Sequence, residues 1–226
     1  MEGNMAVGDQ ALADLRAHPL YWLQSNALEV WGLSATGSGA EQFRLYKTDR
    51  NWQIAINGAA RDVTLWTMWA DRVRATKGDP ATASAPFDVH YVSMREFKNG
   101  QWENVNTTHY MLPANTGADM MVTSKLNGCT FGIGSSSNGG RLVSHLRPPL
   151  MGSAALPTPD AAELQKGIEA GFASHRQTID YRVMSTGDYN GTVIGRRTGT
   201  KWEFYVQRYK AMPTGYGLID AVAELR

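Results

Sequence analysis

Residues 120–147 read MMVTSKLNGCTFGIGSSSNGGRLVSHLR. Met120 to Ser124 has the β-branched and apolar content of a strand. It runs into a turn, Leu126-Asn127-Gly128-Cys129, where glycine permits a sharp change of direction. Cys129 to Ile133 and Arg141 to Leu146 read as two further strands around a glycine- and serine-rich loop, Gly134 to Gly140. Pro148 and Pro149 end the second strand, because proline cannot donate to a ladder. If the two strands pair as a hairpin, His145 returns beside Cys129. Short strands and tight turns, not helical periodicity, therefore set the fold.

Upstream, Phe43 to Tyr46 and Trp52 to Ile56 alternate, with Thr48 to Asn51 as the predicted hairpin turn between them. Val63 to Trp69 is a third strand, rich in β-branched and aromatic residues. Phe87 to Phe97 and Trp102 to Met111 read as a hairpin turning at Lys98-Asn99-Gly100, since Asn-Gly favours two-residue turns. Asp9 to Leu23 reads as a helix capped by Asp9 and split by Pro19, which pushes His18 from helical geometry. Downstream, the spacing of Leu164, Ile168 and Phe172 predicts a helix over Asp160 to Ser174. Strands follow at Thr178 to Ser185, Thr192 to Arg196 and Lys201 to Tyr209, and a terminal helix is expected at Gly217 to Leu225. About ten strands with a helix before and another late imply an α+β fold. The expected form is a central β-sandwich of mostly antiparallel strands with flanking helices, in a single domain over 1–226.

Apolar residues make up 42% of the 226, enough for a substantial core. A net charge of +1 gives no electrostatic reason to expect nucleic acid or an acidic membrane as partner. No run of eighteen apolar residues exists, so no spanning helix is expected. The N-terminus lacks a basic start followed by an apolar run, so no secretory signal is expected. One cysteine excludes an intrachain disulfide and a cysteine-cluster metal site, and the five histidines are scattered without ligand spacing. No metal or organic cofactor is expected, and the protein reads as a monomer.

Cys129 and His145 are the chemical candidates. A thiol attacks a carbonyl as thiolate and needs a base, together with backbone amides aimed at the developing oxyanion. Gly128 lets a substrate approach the main chain at that point. Spacing alone leaves two readings open: a Cys-His site, or a buried packing cysteine with a histidine satisfied on a sheet. The seven-residue loop of Gly, Ser and Asn, longer than a hairpin needs, favours the first. Non-catalytic partner binding by a β-sandwich is the reading from a different class.

Met121-Val122-Thr123, Leu126-Asn127-Gly128-Cys129, the glycine-rich loop and Val143-Ser144-His145 resemble the catalytic segment of the cytotoxic necrotizing factor and Burkholderia lethal factor family, closest to the lethal factor. That family's motif is Leu-Ser-Gly-Cys followed by a strand-borne histidine, on an α+β fold with a central β-sandwich. The resemblance implies a toxin or effector that deamidates a glutamine side chain of a host protein. It assigns Cys129 as nucleophile, His145 as base and Thr123 as the residue whose main-chain carbonyl orients the histidine. Amides at Gly128 or Cys129 would hold the oxyanion. Asn127 stands where the motif has serine. Targets in the family are Rho-type small GTPases or a translation-initiation helicase. The implied location is the host cytoplasm, reached by a signal-peptide-independent route. The alternatives are a bacterial receptor deamidase or another thiol hydrolase in the bacterial cytoplasm.

Overall fold

A computed structural model describes residues 5–31, 37–56, 58–73, 78–98, 101–102, 110–126, 129–135, 140–147, 175–179, 189–211 and 217–225. The chain begins with two helices, α1 (Val7–Ala17) and α2 (Pro19–Ser25). Pro19 is the first residue of α2, and His18 before it takes φ −139° and ψ 63°, so the predicted split is where the structure has it. Asp9 is not the cap. Helix α1 starts two residues earlier, and the Asp9 carboxylate instead accepts a hydrogen bond from the Ala85 amide at 2.7 Å.

The strands are β1 (Ala27–Trp31), β2 (Gly39–Ile54), β3 (Arg61–Ala70), β4 (Phe87–Val92), β5 (Met94–Lys98), β6 (Gln101–Trp102) and β7 (Tyr110–Leu112). They continue as β8 (Met120–Thr123), β9 (Thr130–Ser135), β10 (Arg141–Arg147), β11 (His175–Ile179), β12 (Tyr189–Thr198), β13 (Lys201–Ala211) and β14 (Gly217–Leu225). The first sheet has the order β1-β3-β2-β14-β13-β12-β8-β4. Phe43 pairs with both Ala70 of β3 and Phe87 of β4, while Ile54 pairs with both Arg61 of β3 and Ile219 of β14. One edge of β2 is thus given to β3 and the other is divided between β4 and β14, which curls the sheet back on itself. The second sheet runs β11-β9-β10-β5-β6, with β7 also on β10. Most ladders are antiparallel. Those of β1 with β3, β4 with β8, β5 with β10 and β2 with β14 are parallel.

Alternation divides the apolar residues between two layers. Val89, Tyr91, Met120, Val122, Ile194 and Tyr205 join Leu12, Leu15, Trp22 and Leu23 of the helices in one buried cluster. Val92, Met121, Val193, Phe204 and Val206 point the other way, against Phe131, Ile133 and Val143 of the second sheet. The architecture is the expected α+β sandwich with helices on an outer face.

Three local expectations are corrected and one strand is added. Gly217–Leu225 is not a helix but β14, paired along β13 from Ala211↔Gly217 to Phe204↔Leu225. Thr48 to Asn51 is not a hairpin turn. Strand β2 runs through it with a register irregularity, because Thr48 Oγ1 donates to Leu65 O at 2.9 Å across the ladder and accepts from Arg50 N at 3.1 Å. Phe87 to Phe97 is two strands, broken at Ser93, and the two halves enter different sheets. Strand β1 was not foreseen. The turn end of the predicted hairpin at 99–100, the helix over Asp160 to Ser174 and most of the strand from Thr178 to Ser185 lie outside the described residues, whereas Phe97↔Trp102 pair as that hairpin requires.

Gln207 of β13 joins the first sheet to the helical layer. Fully buried, it accepts from Leu28 N at 2.8 Å and donates from Nε2 to Leu23 O at 2.7 Å and Asn26 O at 2.6 Å. It satisfies the end of α2 and the start of β1 together, groups that would otherwise be buried without partners. Gln207→Leu is therefore expected to lower the unfolding free energy by about 3 kcal/mol or more, read from the midpoint shift in urea denaturation.

Candidate functional site

Strand β8 carries Thr123 into the space between the sheets, since Met121 two residues earlier lies in the intersheet cluster. Its parallel neighbour on one side is β4, with Val92 opposite Thr123. Across the sandwich, His145 occupies β10 with Phe131 of β9 on one side and Met94 of β5 on the other. Thr123 and His145 are both fully buried.

The Thr123 hydroxyl lies 2.7 Å from Val92 O and 2.7 Å from His145 Nδ1. A main-chain carbonyl only accepts, and a threonine hydroxyl has one proton to give. That proton goes to Val92, so Thr123 Oγ1 accepts from the ring, and Nδ1 carries the hydrogen. The lone pair of the imidazole is then on Nε2, the atom a base would use. This contact between Thr123 and His145 runs through the hydroxyl, whereas the resemblance implied the Thr123 main-chain carbonyl.

Cys129 immediately precedes β9. His145 pairs with Phe131, and two residues from Phe131 along the strand is the position on the same face that Cys129 holds. Its thiol meets Met94 Sδ at 3.9 Å. Met94 belongs to the strand on the far side of β10, so the thiol lies over the strip of sheet that carries His145. Cys129 is 1% exposed, among Leu126, Phe131 and Val143 of the intersheet cluster. Leu126 is fixed by reciprocal main-chain bonds with Gly191 at 2.7 and 2.8 Å, and Lys125 N donates to Val30 O at 3.3 Å, which hold the entry to the cysteine turn. Asn127 and Gly128, with residues 136–139 of the loop, lie outside the described residues.

A second polar pair sits one alternation step away. His90 of β4 faces the same interlayer space as Val92, and its Nδ1 is 3.0 Å from the Tyr110 hydroxyl of β7. Trp202 meets the His90 ring edge-on at 5.8 Å. Gly117, at φ +71°, packs so closely that a Cβ there would stand 3.0 Å from His90 Cε1 and Nε2. Arg197 donates to Gly117 O at 2.8 Å. Burial, and then the Arg197 charge, hold the His90 pKa below its usual value, and burial raises that of Tyr110. Alternation places His90 and Val92 on one face, but nothing local in the sequence indicates Tyr110 as a partner. Among the described residues no group of three or more His, Cys, Asp or Glu is arranged to hold a metal ion.

Two outcomes are expected. Thr123→Val keeps the shape but leaves Val92 O and the His145 Nδ1 proton without their shared partner. It should cost about 1–3 kcal/mol in urea unfolding. Because the folded pKa of His90 is depressed, the unfolded chain takes up its proton first as pH falls. The stability contributed by neutral His90 is complete above the unfolded value and is lost as pH falls from there through the folded one. The melting temperature should drop between neutral and mildly acid pH, and His90→Asn should flatten that dependence in calorimetry.

No protein-family model matches the chain, and no curated protein matches it. Among solved structures, the C-terminal domain of CNFy from Yersinia pseudotuberculosis is similar over 97% of this chain and 98% of that one, with a TM-score of 0.46 and 10% sequence identity.

Proposed function

We propose that the protein is a cysteine-dependent glutamine deamidase acting on a host protein. The observation that carries this reading is the hydrogen-bonded series Val92 O, Thr123 Oγ1, His145 Nδ1, which sets His145 up as a base on the face that Cys129 shares. In the proposed reaction His145 Nε2 takes the Cys129 proton, and the thiolate attacks the carboxamide carbon of a glutamine side chain. Main-chain amides at Gly128 or Cys129 hold the oxyanion, with Asn127 beside them. As the tetrahedral adduct collapses, the C–N bond breaks and His145 returns the proton to the departing nitrogen, releasing ammonia. Water, deprotonated by His145, then attacks the thioester and gives glutamate and free thiol. The cycle consumes one water and needs no redox partner.

The substrate class proposed is a switch or helicase protein of the host, a Rho-type small GTPase or a translation-initiation helicase, since a new carboxylate on such a surface adds charge where motion is required. The chain, incubated with eukaryotic cell lysate, should convert glutamine to glutamate in particular host peptides, read by mass spectrometry. Cys129→Ser should abolish the conversion. Absence of any converted peptide with the intact protein would sink the reading.

The burial of Cys129 favours a second reading, a packing cysteine in a non-catalytic sandwich. The two part on alkylation. Prompt modification of native Cys129 by iodoacetamide at neutral pH belongs to the enzyme, and modification only after denaturation belongs to the packing cysteine.

A further inference from the structure

We propose that His90 and Tyr110 are positioning residues for His145, forming a second polar rung between the same two sheets that sets where β10 carries the imidazole over Thr123. The proposal rests on the catalytic reading of His145. Its basis is a closed circuit of contacts. His90 is two residues from Val92 on β4, and the Val92 carbonyl holds Thr123. Thr123 holds His145. Two residues back along β10 from His145, Val143 pairs with Tyr110 of β7, and Tyr110 returns to His90 at 3.0 Å. The two rungs therefore join the same pair of layers one alternation step apart, roughly 6.5–7 Å along the strands.

Strand β10 is held within its own sheet by β9, β5 and β7, and one rung alone fixes that sheet to the first at a single point. Two rungs fix both the spacing and the angle between the two sheets where β10 crosses Thr123. The surroundings of the second rung are built to hold it still: Trp202 against one edge of the ring, Gly117 against Cε1 and Nε2, and Arg197 securing the Gly117 carbonyl. Among the described residues, the charged and titratable groups facing His90 are Arg197 from β12 and Tyr110 from β7. A cation placed beside Arg197 is disfavoured, so the rung works with the neutral ring.

The test reads the His145 ring directly. In long-range proton–nitrogen spectra of the labelled intact protein, His145 should show the Nδ1–H tautomer. Tyr110→Phe should convert that signal to a mixture of tautomers and lower kcat for deamidation about 10- to 100-fold, as a displacement of about 1 Å of a catalytic group does, with KM unchanged. His90→Asn, whose carboxamide can still bond Tyr110, should keep both the signal and the rate. Should Tyr110→Phe fail to fold, His90→Leu removes the same bond from the other side and is read the same way. An unchanged His145 signal in the bond-deleting variant overturns the proposal, and so does a loss of that signal in His90→Asn equal to that in Tyr110→Phe. A moved signal in a protein that deamidates nothing supports the coupling while sinking the enzymatic reading, so the two failures are distinguishable.

Discussion

The four residues of β8 bear a constraint that the rest of the molecule obeys. Met120 and Val122 face the helical layer, while Met121 and Thr123 face the second sheet. Both edges are occupied, by β12 on one side and β4 on the other. A strand buried on both faces and both edges has no tolerance for slippage. A shift by one residue would send Thr123 into the helical core and put Val122 or Ser124 opposite His145. The alternation of four side chains therefore specifies the layering of the sandwich and the place where its polar contacts can form.

Polar side chains between two apolar sheets are costly unless their hydrogen bonds are met. Thr123 meets that condition with both of its neighbours, and His145 and His90 each meet a partner through Nδ1; the cost of losing these bonds is what makes them specify geometry. Apolar cores of similar volume tolerate many packings, whereas a hydroxyl with one proton and two neighbours tolerates one. Gln207 does the same on the other side of the first sheet, where three bonds fix α2 and β1 at once. The sandwich is thus held by apolar area in bulk and registered by a few polar atoms.

Alternation and turn chemistry made much of this legible. Strands β3, β8, β9, β10, β12 and β13 follow from β-branched and aromatic runs bounded by turn residues, and the break at Pro19 follows from proline sterics. The errors share one cause: local preference was overruled by long-range pairing. In GLIDAVAEL the spacing of Leu218, Val222 and Leu225 imitates a helix face, but an unpaired edge of β13 recruits the segment as a strand. Thr48 to Asn51 has turn composition, yet β3 continues alongside it and the Thr48 hydroxyl absorbs the irregularity. At the site, residue types and order pointed to Cys129 and His145, and the resemblance added Thr123. What they could not convey was that Thr123 meets His145 through its side chain, because that depends on Val92, which is more than thirty positions earlier in the chain.

That distance bears on how the His145 ring comes to be oriented. An orienting group supplied by a neighbouring residue would travel with the histidine and survive local unfolding. Here the ring is oriented by a hydroxyl on another sheet, and that hydroxyl is itself oriented by a carbonyl on a third strand. His145 of β10, Thr123 of β8 and Val92 of β4 meet only when the two sheets have docked. Before docking, the imidazole has no fixed tautomer, and its two nitrogens exchange roles freely in water. After docking, the single proton of Thr123 settles which nitrogen keeps the lone pair. The reactivity assigned to Cys129 and His145 is therefore a property of tertiary structure. In the proposed reaction the short motif around the cysteine would supply the nucleophile, but by itself it could not supply the base.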